Sequence, residues 1–140
     1  MPLYTLANLT TATTTAGTDG TAQFIGGYWN RAVVVLDHTA SGVDAPDTLD
    51  VYVDLSLDGI KWVNAVHYAS KAGNAAASTE FAILDHSIPG TATIVSTSDV
   101  AVSTVRPYVF GLQIRARYVI VNGAGGNVPD HDFSVKAYIQ

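Results

Sequence analysis

The sequence contains no cysteine, only one glutamate (Glu80) and no long apolar run. The absence of cysteine excludes disulfides, thiol catalysis and thiolate metal sites. No stretch approaches the roughly 18 apolar residues of a membrane-spanning helix, so we expect no membrane partner. The N-terminal segment MPLYTLANLT lacks a basic region followed by an apolar run, and it therefore predicts no signal peptide.

Charged residues are also scarce, at 14% of the 140 residues compared with roughly 25% in an average soluble domain. The seven Lys and Arg residues are spread along the chain and the formal net charge is −5. This distribution offers no basic patch for a phosphate backbone, so we expect no direct contact with nucleic acid. A weakly charged exterior is typical of proteins that neighbouring subunits partly cover, and also of secreted domains.

What the sequence does contain is alternation of apolar and polar residues, the pattern of a β-strand with one buried face. Strict alternation occurs over residues 49–57, 112–120 and 132–139. Less regular strands are predicted over residues 31–39, 61–69, 79–84 and 91–96, with a single helical turn at 99–105. Seven or eight strands predict one all-β domain over residues 1–140, an antiparallel β-sandwich of jelly-roll or immunoglobulin-like type.

No motif of a known catalytic site is present: the chain has no Gly-x-Ser-x-Gly, His-Glu-x-x-His, P-loop or dinucleotide fingerprint. Asp50 and Asp54 share a face of one predicted strand, but about 13 Å separates them. That distance is too large for a general acid/base pair acting on one bond, so we predict solvated carboxylates there. We therefore predict that the chain is not an enzyme and has no cofactor.

A metal site has one weak candidate, the run Asp130–His131–Asp132. The two aspartates share a strand face, where carboxylate oxygens could bind Ca²⁺. The simpler interpretation is that Asp and His end strands and cap turns. We predict no metal, and a structural Ca²⁺ stays open at this point.

The segment SLDGIKW, residues 56–62, predicts a β-hairpin. Asp58 and Gly59 occupy the corner, where a tight hairpin needs residues that tolerate positive φ. Tyr52 and Trp62 then lie on the two arms. The hairpin is either a scaffold corner, which we favour, or a loop that grips a sugar with these two aromatic rings.

The longer stretch LDVYVDLSLDGIKW resembles the Ser-x-Asp-Gly-x-x-Trp hairpin of two groups of β-sandwich proteins. One group is the discoidin-type carbohydrate- and lipid-binding domains, and the other is a set of small bacteriophage virion proteins. The chain also shows, in order, the other features of the phage pattern: residues 31–42, Pro46, residues 48–62, 114–118, 123–126 and 133–140. Discoidin domains usually carry a cysteine pair and a secretion signal, whereas this sequence contains no cysteine and predicts no secretion signal.

The resemblance implies a non-enzymatic virion protein, made in the bacterial host cytoplasm, and most simply a capsid decoration (cement) protein that stabilises the shell. Its partners would be major capsid subunits or other virion subunits, and a homo-oligomer is expected, with a trimer suiting three-fold sites. A head–tail connector or tail component, and a discoidin-like carbohydrate-binding module, are the alternatives.

Two segments are candidate interfaces. The first is the Thr-rich N-terminal segment within residues 1–20, which is either an extended arm or an edge strand of the same domain. Its apolar residues are Leu3, Tyr4, Leu6 and Leu9. The second is Tyr28–Trp29 followed by Arg31, where one adjacent aromatic should be buried and the other exposed as an anchor.

Overall fold

The computed structural model describes residues 1–13, 15–41, 45–88, 99–123 and 129–140. Over these ranges the chain forms eleven β-strands and no helix, which confirms the predicted all-β class. The strands are β1 Leu3–Ala12, β2 Thr15–Asp19, β3 Gln23–Phe24, β4 Arg31–Ser41, β5 Thr48–Ser56, β6 Trp62–His67, β7 Lys71–Ala72, β8 Ser78–Asp85, β9 Thr104–Val105, β10 Gln113–Val121 and β11 His131–Ile139.

The strands form two antiparallel sheets that pack as a sandwich. The four-stranded sheet has the order β1-β11-β4-β8. The second sheet has the order β2-β10-β5-β6-β9, with β3 paired to β10 and β7 to β5. If β2 and β3 count as one position and the two-residue strands β7 and β9 are set aside, the eight main strands run 1-8-3-6 and 2-7-4-5. This is the order of a jelly roll, and it decides between the two sandwich types that the sequence left open.

The core lies between the sheets and is built by alternation along each strand. In β5, Leu49, Val51, Val53 and Leu55 are at most 1% exposed. In the other sheet, the inward face of β11 carries Phe133, Val135, Ala137 and Ile139, which are also buried. Because alternate side chains of a strand point to opposite faces, the strictly alternating segments were the easiest to predict. Their observed bounds differ from the predicted ones by one residue at most.

The less regular parts of the chain differ from the prediction in two respects. The strands β2, β3, β7 and β9 were not predicted, because segments of two to five residues are too short to show alternation. Residues 99–105 contain a turn in which Ser103 has φ +57°, followed by β9, and the predicted helical turn there is wrong. The predicted strand 91–96 lies outside the described residues.

The N-terminal segment belongs to the sandwich. β1 pairs with β11 from Leu3↔Tyr138 to Ala12↔His131. β2 then crosses to the second sheet, where it pairs with β10. Of the two interpretations that the sequence allowed for this segment, the edge strand is the one observed.

Candidate functional site

Two adjacent aromatic residues between β3 and β4 differ sharply in exposure. Trp29 is 3% exposed, and its Nε1–H donates to the carbonyl oxygen of Gly111 at 2.9 Å. Its ring packs against His86, with centroids 4.1 Å apart, and against Phe110, with centroids 5.8 Å apart. Tyr28 is fully exposed. The buried Trp29 therefore fixes the backbone from which the Tyr28 ring projects.

An apolar groove, here the terminal groove, lies beside Tyr28. It has a volume of about 470 Å³, and its lining includes Met1, Pro2, Ile25, Tyr28, Trp29 and Ile139. The backbone around it is tied to the four-stranded sheet: Ile139 N–H donates to the carbonyl oxygen of Pro2 at 3.1 Å. Gln140 and Arg31 also exchange backbone hydrogen bonds of 2.7 and 3.0 Å. The groove is thus an apolar surface on a rigid frame, next to an exposed ring.

The other predicted interface residues lie partly in the core. Leu6 is 1% exposed, so it is not on a surface that a partner could contact. Tyr4 and Leu9 pack against the core from β1 and are only partly buried. Leu3 is 52% exposed, and Arg31 is exposed at the start of β4. Within the N-terminal segment, Leu3 is therefore the predicted residue that presents most of its side chain to solvent.

The outer face of the four-stranded sheet carries an apolar patch that the sequence interpretation missed. We call it the sheet patch, and its members are Leu3, Val33, Val35, Phe81, Ile83 and Tyr138. Pairing between strands places them in rows: Val33 is opposite both Ile83 and Tyr138, and Val35 is opposite Phe81. Phe81 is 68% exposed and Ile83 is 41% exposed. The available signal was the unbroken apolar run over residues 32–36, which makes both faces of β4 apolar.

The outer face of the second sheet is polar, and its charges pair with one another. Asp54 is only 2% exposed and accepts hydrogen bonds from Arg117 Nε at 3.2 Å, Arg115 Nη2 at 3.4 Å and Asn64 Nδ2 at 3.0 Å. The prediction that Asp54 is solvated is wrong, because β10 places both guanidinium groups beside it. Burial acts to lower the pKa of Arg117, but the carboxylates of Asp54 and Asp99 outweigh it and raise that pKa.

The two aromatic rings on this polar face are covered by cations. The ring of Tyr52 lies between the Arg117 guanidinium, 4.1 Å from its centroid, and the His67 imidazole, whose centroid is also 4.1 Å away. The guanidinium of Arg115 lies 4.2 Å from the centroid of Trp62. Tyr52 thus has neither ring face free to stack on a sugar, and Trp62 has one face occupied.

The corner of the β5–β6 hairpin is held by its own hydrogen bonds. The Oδ1 atom of Asp58 accepts from the backbone N–H of Lys61 at 2.7 Å and of Ile60 at 2.8 Å. These bonds lower the pKa of the Asp58 carboxyl, and the bond from Lys61 has the larger effect. Gly59 supplies the positive φ, +73°, that the corner requires. The corner is a compact connection whose polar groups are satisfied locally.

One polar pair lies inside the sandwich rather than on a surface. His38 on β4 and His131 on β11 are both 0% exposed, and Nε2 of His38 lies 3.5 Å from Nδ1 of His131. Burial lowers the pKa of both imidazoles. In the described part of the chain no three His, Asp or Glu side chains come together in an arrangement that could hold a metal ion.

The described residues form no helix that is long and apolar enough to cross a membrane. When the chain was compared with protein-family models, curated proteins and solved structures, no match was found in any of the three.

Proposed function

We propose that this chain is a non-enzymatic structural protein of a bacteriophage particle, which decorates the capsid and stabilises the shell by binding major capsid subunits. One observation carries the proposal: Tyr28 is fully exposed beside the terminal groove and stands on a backbone that Trp29 anchors. An exposed aromatic next to an apolar groove on a rigid frame has the form of an interface anchor.

The fold and the sequence resemblance support the same proposal. Jelly rolls recur in viral capsid domains and in lectins, although a fold alone does not assign a function. The low content of charged residues is consistent with a surface that neighbouring subunits cover. On the lectin side, stacking on a sugar requires a free ring face: Tyr52 has none, and Arg115 covers one face of Trp62, so this alternative has less support.

The proposed mechanism is clamping. A capsid subunit would insert an apolar side chain into the terminal groove and cover the Tyr28 ring, which removes both from water. A well-packed tyrosine of this kind contributes about 2 kcal/mol or more to binding. The occupancy of each site on the shell depends on the affinity of that one contact and on the concentration of the chain, and copies that touch two subunits at once gain further from avidity.

The test is cosedimentation of the purified chain with expanded shells of the phage that encodes it. The wild-type chain should sediment with the shells, and Tyr28→Ala should weaken binding by about thirtyfold, the equivalent of about 2 kcal/mol. Val121→Ala is the matched control, since Val121 is 49% exposed at the end of β10 that lies farthest from Leu112, to which Ile25 of the groove is hydrogen-bonded. Absence of binding, or binding that Tyr28→Ala leaves unchanged, would overturn the proposal. Binding to connectors or tails and not to shells would indicate that the chain is a connector or tail component.

A further inference from the structure

The sheet patch is a second apolar surface, separate from the terminal groove. Its residues stand in two neighbouring rows across the four strands. One row is Leu3, Tyr138, Val33 and Ile83. In the other row Val35 and Phe81 belong to the patch, and the polar residues Thr5 and Lys136 complete the row beside them. Beyond the first row, Arg31 of β4 lies opposite Asp85 of β8. Beyond the second row, Asp37 of β4 lies opposite Thr79 of β8. The patch is therefore bordered by charge along β4, with a cation at one end and a carboxylate at the other.

We propose that the sheet patch packs against the same patch of a second copy of this chain, around a two-fold axis that lies in the interface and runs perpendicular to the strands. Such an axis exchanges the two rows. Each residue of one row then faces a residue of the other row on the partner copy, as an isologous interface requires.

The apolar residues match under this operation. Val33 faces Val35 of the second copy, and Ile83 faces Phe81 of the second copy. Two sheets that pack face to face lie about 10 Å apart with their strands nearly aligned, which suits a flat face of this kind. The exposed rings and branched side chains of both copies would interdigitate in the space between the sheets.

The charges match as well, and they select this axis over its alternative. Arg31 faces Asp37 of the second copy. Lys136 faces the ring of Tyr138 of the second copy, where a cation–π contact forms. A two-fold axis along the strands would instead place Lys136 against Val35 and would leave Asp37 opposite Ser134. It would bury the Lys136 charge against an apolar residue, and it would leave Asp37 without an opposite charge on the second copy. Among the described residues Lys136 forms no ion pair within its own chain, so it is available to the second copy.

The size of the patch agrees with a reversible dimer. Four strands about 4.8 Å apart and eight residues of about 3.4 Å each define a face of roughly 500 Å². Two copies would bury about 1,000 Å² in total, near the lower limit of specific interfaces. We therefore expect association in the micromolar range, stable in a crowded assembly and dissociable on dilution.

The dimer also has a consequence for shell binding, and this consequence, unlike the dimer itself, rests on the proposed function. Tyr28 lies just before β4, so it stands at the Arg31 end of the sheet. Since the two-fold axis reverses the strand direction, the two terminal grooves lie at opposite ends of the dimer. One dimer could therefore bridge two capsid subunits, and the effective concentration of the second groove would strengthen binding.

The test is the mass of the purified full chain by light scattering after gel filtration, over a dilution series up to about 100 µM, well above a micromolar Kd. We expect twice the 14.7 kDa of one chain at the highest concentration. Phe81→Glu should raise the dissociation constant at least about tenfold. Ile60→Glu, an equal change on an exposed residue outside the patch, should leave it unchanged.

A charge exchange tests the register. Arg31→Asp alone and Asp37→Arg alone each place like charges opposite each other at two symmetric positions, and each should weaken the dimer about tenfold or more. The double variant R31D/D37R should restore association to about the wild-type value. Thermal unfolding of each variant shows that the domain remains folded.

Three results would overturn the inference: a single-chain mass at every concentration, a trimer, or a dimer that Phe81→Glu does not weaken. Failure of R31D/D37R to restore association would overturn the proposed axis. Because no shell is present in these measurements, their failure would be distinguishable from a failure of shell binding, which the cosedimentation experiment measures separately.

Discussion

Arg117 and Tyr52 are direct partners across β10 and β5, and the guanidinium carbon of Arg117 lies 4.1 Å from the centre of the Tyr52 ring. Asp54, the next outward-facing residue of β5, accepts a hydrogen bond from the same guanidinium. The outer face of the second sheet is therefore a closed network in which cations, carboxylates and rings cover one another. We interpret this face as a scaffold, and the terminal groove and the sheet patch are the surfaces that we propose for assembly.

The network predicts that removal of the Asp54 charge lowers the free energy of unfolding more than removal of any other charge in the domain. Asp54→Ala would leave Arg115 and Arg117 beside each other without their shared carboxylate, and removal of one member of a buried ion pair costs about 3–5 kcal/mol. Urea denaturation measures the change. Asp19→Ala is the control, since the side chain of Asp19 is 52% exposed and pairs with the same Arg115, and we expect a loss of less than about 1 kcal/mol. Equal losses in both variants would contradict the network.

The hairpin corner predicts a steric cost at Gly59 beyond the cost of its backbone conformation. A Cβ atom at Gly59 would lie 2.6 Å from Nε2 of Gln113, whereas one at Gly26 would meet no atom within 4 Å. The two glycines have similar φ values, +73° and +76°. Gly26→Ala should therefore cost about 1–2 kcal/mol, for the left-handed backbone alone. Gly59→Ala should cost only slightly more, as measured by urea denaturation, because the new methyl group meets the far end of the flexible Gln113 side chain, which can move aside.

Gln113→Ala provides the check on that comparison. In a chain that already carries Gln113→Ala, the cost of Gly59→Ala should fall to that of Gly26→Ala, because the atom that the new methyl group would meet is gone. A Gly59→Ala cost that does not depend on Gln113 would show that the backbone conformation alone sets the requirement for glycine at the corner.

The buried histidine pair predicts acid sensitivity. The ordinary pKa of histidine is 6.5, and burial lowers it for both His38 and His131 in the folded chain. As the pH falls below about 6.5, the unfolded chain takes up protons that the folded chain does not, so the free energy of unfolding decreases. The slope is at most about 1.4 kcal/mol per pH unit for each histidine. Above about pH 7 this contribution is constant.

Urea denaturation between about pH 7.5 and pH 5 measures this slope. His131→Phe and His38→Phe should each reduce it, since each removes one site that gains a proton on unfolding. The neighbouring charges act in both directions: Lys71 lowers the pKa of His38, while Asp132 and Asp37 raise it. Lys71→Met should therefore make the slope shallower in the same pH range. Slopes that are identical in all four proteins would contradict a role for the pair.

Burial could be predicted from the sequence where it depends on alternation within one strand. It could not be predicted where it depends on contacts between strands that are distant in the sequence. Alternation along β5 predicted its buried face residue by residue. The burial of Asp54 was not predictable in this way, because its guanidinium partners come from β10, about 60 positions away. The sheet patch was missed for a similar reason: Phe81 and Val35 become one surface only through the pairing of β8 with β4.

The candidate site was predicted in outline. Adjacent aromatics at Tyr28 and Trp29 indicated one buried and one exposed ring, and this is how the structure places them. The N-terminal apolar residues were less well predicted, because an edge strand and a free arm have the same Thr-rich, β-prone composition. Pairing of β1 with β11 turns Leu6 inward and leaves Leu3 outward, and no local pattern indicates that pairing.

The most direct test of the proposed function is an electron cryomicroscopy map of expanded shells incubated with the purified chain. The proposal predicts regularly placed density of the size of one β-sandwich or of a pair, with the end that carries Tyr28 against the capsid subunits. It also predicts that Tyr28→Ala removes most of that density at the same concentration. Bare shells with the wild-type chain, or density that contacts the shell through the Asp54 face and leaves Tyr28 in solvent, would contradict it.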